Sequence, residues 1–250
     1  MPIDAIWYTK KKVVSAVYQR EHMTLGGRLC TVLCPETKAP LPVFYICSGQ
    51  ALPNQWETVL ADIRREVLVC HVTADWERDF TPWPAPGLPG RAAFTGEAEA
   101  YLRFLTETLR PALLSAYPVR REAAYHTVAG YSLGGLFALW ALFQTDAFGA
   151  AASLSGSLWY DGWTEYLETH APPRDTRAYL SLGRSEERAG NPRMASVGEN
   201  TRRTYAHLVK TLGEDRVTLE WNRGGHFTGI SNRWRKALEW MAANLDKTAD

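Results

Sequence analysis

"AGYSLGG", residues 129–135, follows the strand-like run "YHTVA" (125–129) and leads into "GLFALWALFQTD" (135–146), which reads as a buried helix. A Gly-x-Ser-x-Gly spacing is common by itself. Its context gives it meaning: a serine on a strained strand-to-helix turn needs small neighbours so that the turn can close, and here Gly130 and Gly134 flank Ser132. Gly135 would let the helix pack closely on the sheet. At such a turn the hydroxyl projects into a cleft, and the next amide, that of Leu133, points at the same spot from the positive end of the helix.

Outward from this turn, strands and helices alternate. Toward the N-terminus, "VVSAVYQRE" (13–21), "RLCTVLCP" (28–35), "PVFYICSG" (42–49) and "EVLVCHVT" (66–73) read as strands, and Gly26-Gly27 predicts an antiparallel hairpin between the first two. "QWETVLADIRRE" (55–66) has helical spacing, so the connection between the last two strands reads as a parallel crossover. Residues 75–95 carry Pro82, Pro84, Pro86 and Pro89 and predict a long loop on the rim of a site. A helix is expected over about 97–117, with Pro111 kinking it or opening a second one.

Toward the C-terminus come the strand "GAAASLSG" (149–156), a Trp-rich loop, the strand "RAYLSLG" (177–183), and a helix ending at Gly213. The strand "RVTLEWN" (216–222) follows, then a final helix with Ser231 as its expected N-cap. The pattern predicts a single α/β domain over residues 1–250, with a mostly parallel central sheet, an antiparallel N-terminal portion and helices on both faces. Ligands of such sheets bind beyond the carboxyl ends of the strands.

Composition narrows the function. A chain of 250 residues that is 46% hydrophobic can bury a full core. A net charge of +1 with interspersed signs disfavours nucleic-acid binding. The start, "MPIDAIWYTKKKVV", has no signal-peptide core, and no apolar run is long enough to span a bilayer, so a cytoplasmic protein without membrane partners is expected. Cys30, Cys34, Cys47 and Cys70 lie in strand-like runs without metal-ligand spacing and read as free thiols, with no metal site.

A serine hydroxyl needs a base within hydrogen-bond reach. On this kind of turn the chain order is serine, acid, histidine. Among six histidines His226 is the one that follows a strand beyond Ser132, with Gly224 and Gly225 beside it. The acid is expected in "GRSEERAGN" (183–191), as Glu186 or Glu187, with Glu186 preferred and its neighbour solvated or paired with Arg184 or Arg188; Asp161 and Asp175 are weaker candidates. Beside the Leu133 amide, a second oxyanion donor is expected in "SGQALPNQ" (48–55), at the amide of Gln50. Trp76, Trp83, Trp159 and Trp163 could line an aromatic pocket or pack beneath loops, and Trp159 is the first candidate for contact with substrate.

Together "PVFYICSGQ", "AGYSLGG", "SLSGSLWY", "LSLGRSEE" and "GGHF" resemble the "putative esterase" family of α/β hydrolases, which includes siderophore esterases, feruloyl and acetyl-xylan esterases, S-formylglutathione hydrolases and mycolyltransferases. The likeness covers roughly residues 10–245, and "SGSLWY" is most similar to the siderophore-esterase branch. One departure is Ser48-Gly49, where members commonly carry Asp-Gly. The resemblance implies an α/β-hydrolase fold and a serine esterase that uses Ser132, His226 and Glu186 on a small-molecule ester, without cofactor. An acyltransferase would use the same side chains with water kept out, and a silent binding module would leave them misassembled.

Overall fold

A computed structural model describes residues 17–49, 52 and 56–245. The hairpin strands are β1 (Tyr18–Leu25) and β2 (Arg28–Pro35), joined through Gly26 (φ +53°) and Gly27 (φ +76°). Two successive positive φ values define the tight turn whose twist matches that of the strands, which explains the glycine pair. The N-terminal part of the first expected strand, 13–16, lies outside the described residues.

Next come β3 (Val43–Cys47), α1 (Trp56–Ala61), β4 (Leu68–Val72), α2 (Trp76–Asp79), α3 (Ala98–Arg103) and α4 (Arg110–Ala116). They are followed by β5 (His126–Tyr131), α5 (Leu133–Gln144), β6 (Ala150–Leu154), α6 (Trp163–Thr169), β7 (Arg177–Gly183), α7 (Pro192–Ala195), α8 (Val197–Leu212), β8 (Val217–Asn222) and α9 (Ile230–Asn244).

The strands form one sheet in the order β1-β2-β4-β3-β5-β6-β7-β8. The β1/β2 and β2/β4 pairs are antiparallel and every later pair is parallel. Alternation along β3 divides the core. Val43, Tyr45 and Cys47 join Leu102, Leu113, Leu136 and Leu208 on one face, while Phe44 and Ile46 join Leu60, Leu238 and Met241 on the other. Helices α3, α4, α5 and α8 thus cover one side and α1 and α9 the other, the latter pair meeting through Trp56 and Trp234. Helix α5 is buried all round, as its uninterrupted apolar sequence requires.

Three expectations need correction. The helix expected over 55–66 stops at Ala61, where a tight turn from Ile63 N–H to Leu60 C=O ends it. The 75–95 segment opens with one helical turn, α2, capped by the Asp75 carboxylate on Arg78 N–H, before its prolines begin. Helix α9 starts at Ile230 behind Gly229, whose left-handed backbone (φ +66°) reverses the chain, so Ser231 sits inside the first turn and is not the cap. Pro111 is accommodated by a π-helical stretch, Phe104–Leu109, in which Arg110 N–H reaches five residues back to Leu105 C=O before α4 continues.

Candidate active site

All the expected site residues that are described lie beyond the carboxyl ends of parallel strands. Ser132 follows β5 with φ +56° and ψ −121°, a strained conformation for a residue with a side chain. The surroundings hold it there. Its N–H donates to Leu154 C=O at 3.0 Å, and its C=O accepts from Gly135, Leu136 and Ser157 N–H at 3.0, 3.1 and 2.9 Å. The glycines answer to space: a Cβ on Gly130 would fall 2.1 Å from Gly134 O, and one on Gly134 would fall 2.3 Å from Cys47 O. Gly134 thus lets α5 approach β3, and Gly135 lets it pack on Ser153 of β6 and Gly130 of β5, beside Gly156.

Ser132 Oγ lies 3.1 Å from His226 Nε2, and His226 Nδ1 lies 2.7 Å from Glu186 Oε2. These side chains come from the ends of β5, β8 and β7. His226 is partly open to solvent, its side chain 27% exposed, whereas that of Glu186 is 4% exposed. The second carboxylate oxygen of Glu186 accepts from Gly183 N–H (2.8 Å), the Ser155 hydroxyl (2.7 Å) and Arg233 Nη1 (2.9 Å). Burial pushes the Glu186 carboxyl up, but the bonds from His226, Ser155 and Gly183 outweigh it and hold the group below the usual carboxylate range. Glu187 turns the other way and pairs with Arg202 at 2.7 Å, not with Arg184 or Arg188.

The Leu133 amide stands in the first turn of α5, where helix geometry supplies no carbonyl, and no described residue accepts from it. Gln50 lies outside the described residues. The segment just before it is packed against Trp76, whose ring would meet a Cβ on Gly49 at 2.6 Å.

Trp159 is 8% exposed and sits among Phe94, Tyr160 and the Arg193 guanidinium, which lies 5.1 Å from its ring centroid. Arg193 also pairs with Asp161 and donates to the Pro86 carbonyl. The Trp159 ring thus braces the proline-rich loop from below. Trp163 is fully buried and bonds Thr204, and Trp83 donates to Asp161 C=O.

Four further residues gather at the site without having been singled out in the sequence. Ser157 Oγ lies 3.3 Å from Ser132 Oγ. The Tyr131 hydroxyl donates to His226 C=O, Ser155 bonds Glu186, and buried Arg233 reaches Glu186 from α9. The two serines belong to the quoted run "SLSGSLWY", which could have signalled them; nothing local marks Arg233, one of several cations in "SNRWRK".

A sheet of this strand order, with a strained serine between β5 and α5 and a histidine after the last strand, is an α/β-hydrolase fold. Similar solved structures are an IroE-like serine hydrolase from Shewanella oneidensis (TM-score 0.73, 18% identical, covering 90% of this chain and 80% of that one) and the siderophore hydrolase EstB from Aspergillus nidulans (0.68, 20%, 90% and 94%). The family model described as "Putative esterase" matches residues 28–245, and the chain belongs to that family. It is a carboxylic ester hydrolase. Among proteins, YbbA of Bacillus subtilis (strain 168) is 27% identical over 232 residues, 86% of this chain and 93% of its own length.

Proposed function

We propose that the protein hydrolyses small esters through an acyl-enzyme, with Ser132 as nucleophile, His226 as base and Glu186 as the acid that orients it. The observation carrying this reading is the unbroken line of contacts, 3.1 Å and then 2.7 Å, linking three side chains from separate strand ends. Glu186 Oε2 accepts a hydrogen bond from His226 Nδ1–H, which fixes the proton there and leaves Nε2 to accept from the Ser132 hydroxyl. Ser132 Oγ attacks the ester carbonyl while its proton passes to Nε2, and Glu186 stabilises the resulting imidazolium. Nε2 then returns the proton to the leaving alkoxide, and the C–O bond breaks. Water, giving its proton to Nε2, next attacks the acyl-Ser132 carbonyl, and Ser132 leaves with that proton as the free acid departs.

The Leu133 amide, with Gln50 as its partner, would receive the oxyanion, each donor supplying about 3 kcal/mol. Every step is served by side chains and amides, so no metal or organic cofactor is called for. Among the described residues no helix is long and apolar enough to cross a membrane.

For the substrate we infer a siderophore ester or a feruloyl or acetyl sugar, on the sequence likeness of "SGSLWY" and the neighbouring siderophore hydrolase structure. Trp159, beneath the rim loop, would shape the acyl pocket. A panel of siderophore trilactones, feruloylated sugars, acetylated sugars and p-nitrophenyl esters, ranked by kcat/KM, tests this. Preference for a siderophore ester or a feruloyl or acetyl sugar supports it, and inactivity on every ester contradicts it.

A further inference from the structure

Arg233 is 1% exposed and lies in the first turn of α9, its amide bonded to Gly229 C=O at 3.0 Å. Burying an arginine costs free energy unless its charge is paired and its donors are largely matched. Here Nη1 donates to Glu186 Oε1 (2.9 Å), to the Tyr131 hydroxyl (3.2 Å) and to Ser155 Oγ, and Nη2 donates to Gly225 C=O at 2.7 Å, while Nε finds no acceptor among the described residues. One guanidinium therefore touches the acid, the residue before Ser132, the strained turn after β6 (Ser155, φ +44°) and the residue before His226. Gly183 leaves room for it, since a Cβ there would fall 2.6 Å from Nη2 and 2.9 Å from Glu186 Oε1.

We infer that Arg233 is a positioning residue, which holds Glu186 with Oε2 turned to His226 while fixing the backbone that carries His226. The inference rests on the triad reading above. With Arg233, Ser155 and Gly183 all donating to Oε1, the carboxylate has one orientation that satisfies every donor, and that orientation leaves Oε2 to the imidazole. The Tyr131 hydroxyl extends the same network to His226 C=O, so the acid and the base are fastened to a common cation. A lysine could not reproduce this, because the two arms of the fork serve acceptors on different segments.

The test is a double-mutant cycle on p-nitrophenyl acetate with wild type, Arg233→Met, Glu186→Gln and the double variant, folding being checked by circular dichroism. Arg233→Met alone should lower kcat on the order of 10- to 100-fold, the range that partners orienting an imidazole command at metal sites, with KM changed less than about twofold. In the Glu186→Gln background its loss should be at least about fivefold smaller than in wild type, because the carboxylate it orients is gone and only its hold on the Gly225 carbonyl remains. Wild-type kcat in Arg233→Met overturns the inference, as does the same loss in both backgrounds, which is the signature of general structural damage. Should the methionine variant fail to fold, Arg233→Lys replaces it and the same outcomes decide. Full activity in Ser132→Ala would instead overturn the triad reading, so the two failures are distinguishable.

Discussion

Gly134 and Cys47 touch through their backbones: a Cβ on the glycine would stand 2.3 Å from the cysteine carbonyl oxygen. This contact sets how closely the first turn of α5 docks on β3, and with it the position of the Leu133 amide beside Ser132. Gly134→Ala must push α5 away from the sheet. Overpacking of this kind costs about 2 to 3 kcal/mol, a fall in Tm of roughly 5 to 10 °C at this size, and kcat should fall with it. Thermal unfolding measures the first effect; a Tm within about 1 °C of wild type would show that the contact is slack.

The two neighbouring glutamates should behave oppositely. Glu186→Gln replaces the acceptor for His226 Nδ1 with an amide that can favour the wrong tautomer, and a loss of kcat on the order of 10²- to 10⁴-fold is expected. Glu187→Gln removes only a largely exposed pair with Arg202, worth about 0 to 1 kcal/mol, and should leave kcat within about twofold. Parallel kinetics of the two variants decide, and the reverse pattern would make Glu187 the acid.

Ser157 should contribute to the chemical step. In the proposed triad Ser132 gives its single proton to His226, which leaves the Ser157 hydroxyl as the donor across the 3.3 Å contact, and that bond would strengthen as Ser132 Oγ gains charge. A hydrogen bond to a charged group is worth about 1.5 kcal/mol, so Ser157→Ala should lower kcat and the rate of fluorophosphonate labelling about tenfold with KM unchanged. Unaltered labelling would show the contact to be passive.

Acid should weaken the fold through His126. This imidazole is fully buried between the Tyr45 hydroxyl (2.9 Å) and Arg120 C=O (2.8 Å), and burial pushes its pKa down to about 4, against the opposing bond to Arg120. The unfolded chain binds this proton at about 6.5 and the folded protein only near 4, so the stabilisation is complete above the first value and drains away as pH falls toward the second. The loss is about 3 kcal/mol. Between pH 7 and 4, denaturant unfolding of wild type should lose that much more than His126→Gln, and equal losses would contradict the assignment.

Much of this was legible in the sequence because it is local. Strands β2 and β7 run as the apolar stretches 28–35 and 177–183, and the turn at Ser132 announces itself through glycines whose absent side chains make room for backbone. Glu186 and His226 could be found because each closely follows a strand end, and strand ends of a parallel sheet share one rim. Strand order was not legible: placing β4 between β2 and β3 is a tertiary choice that no window of residues encodes. Arg233 escaped for a related reason. A cation at the start of a surface helix reads as solvated, and its burial arises only when β5, β6 and the loop after β8 assemble around it. Trp159 sits as a brace under the rim because Arg193, far along the chain, folds over its ring.

As the proposed nucleophile, Ser132 should carry the acyl group on its Oγ, and a covalent probe of activated serines reads this out. The protein is treated with a fluorophosphonate, digested and mapped by mass spectrometry, alongside Ser132→Ala. A single adduct on the peptide containing Ser132, lost together with ester turnover in the variant, is the expected result. An unlabelled Ser132, or turnover that persists in Ser132→Ala, would show that Ser132 is not the nucleophile.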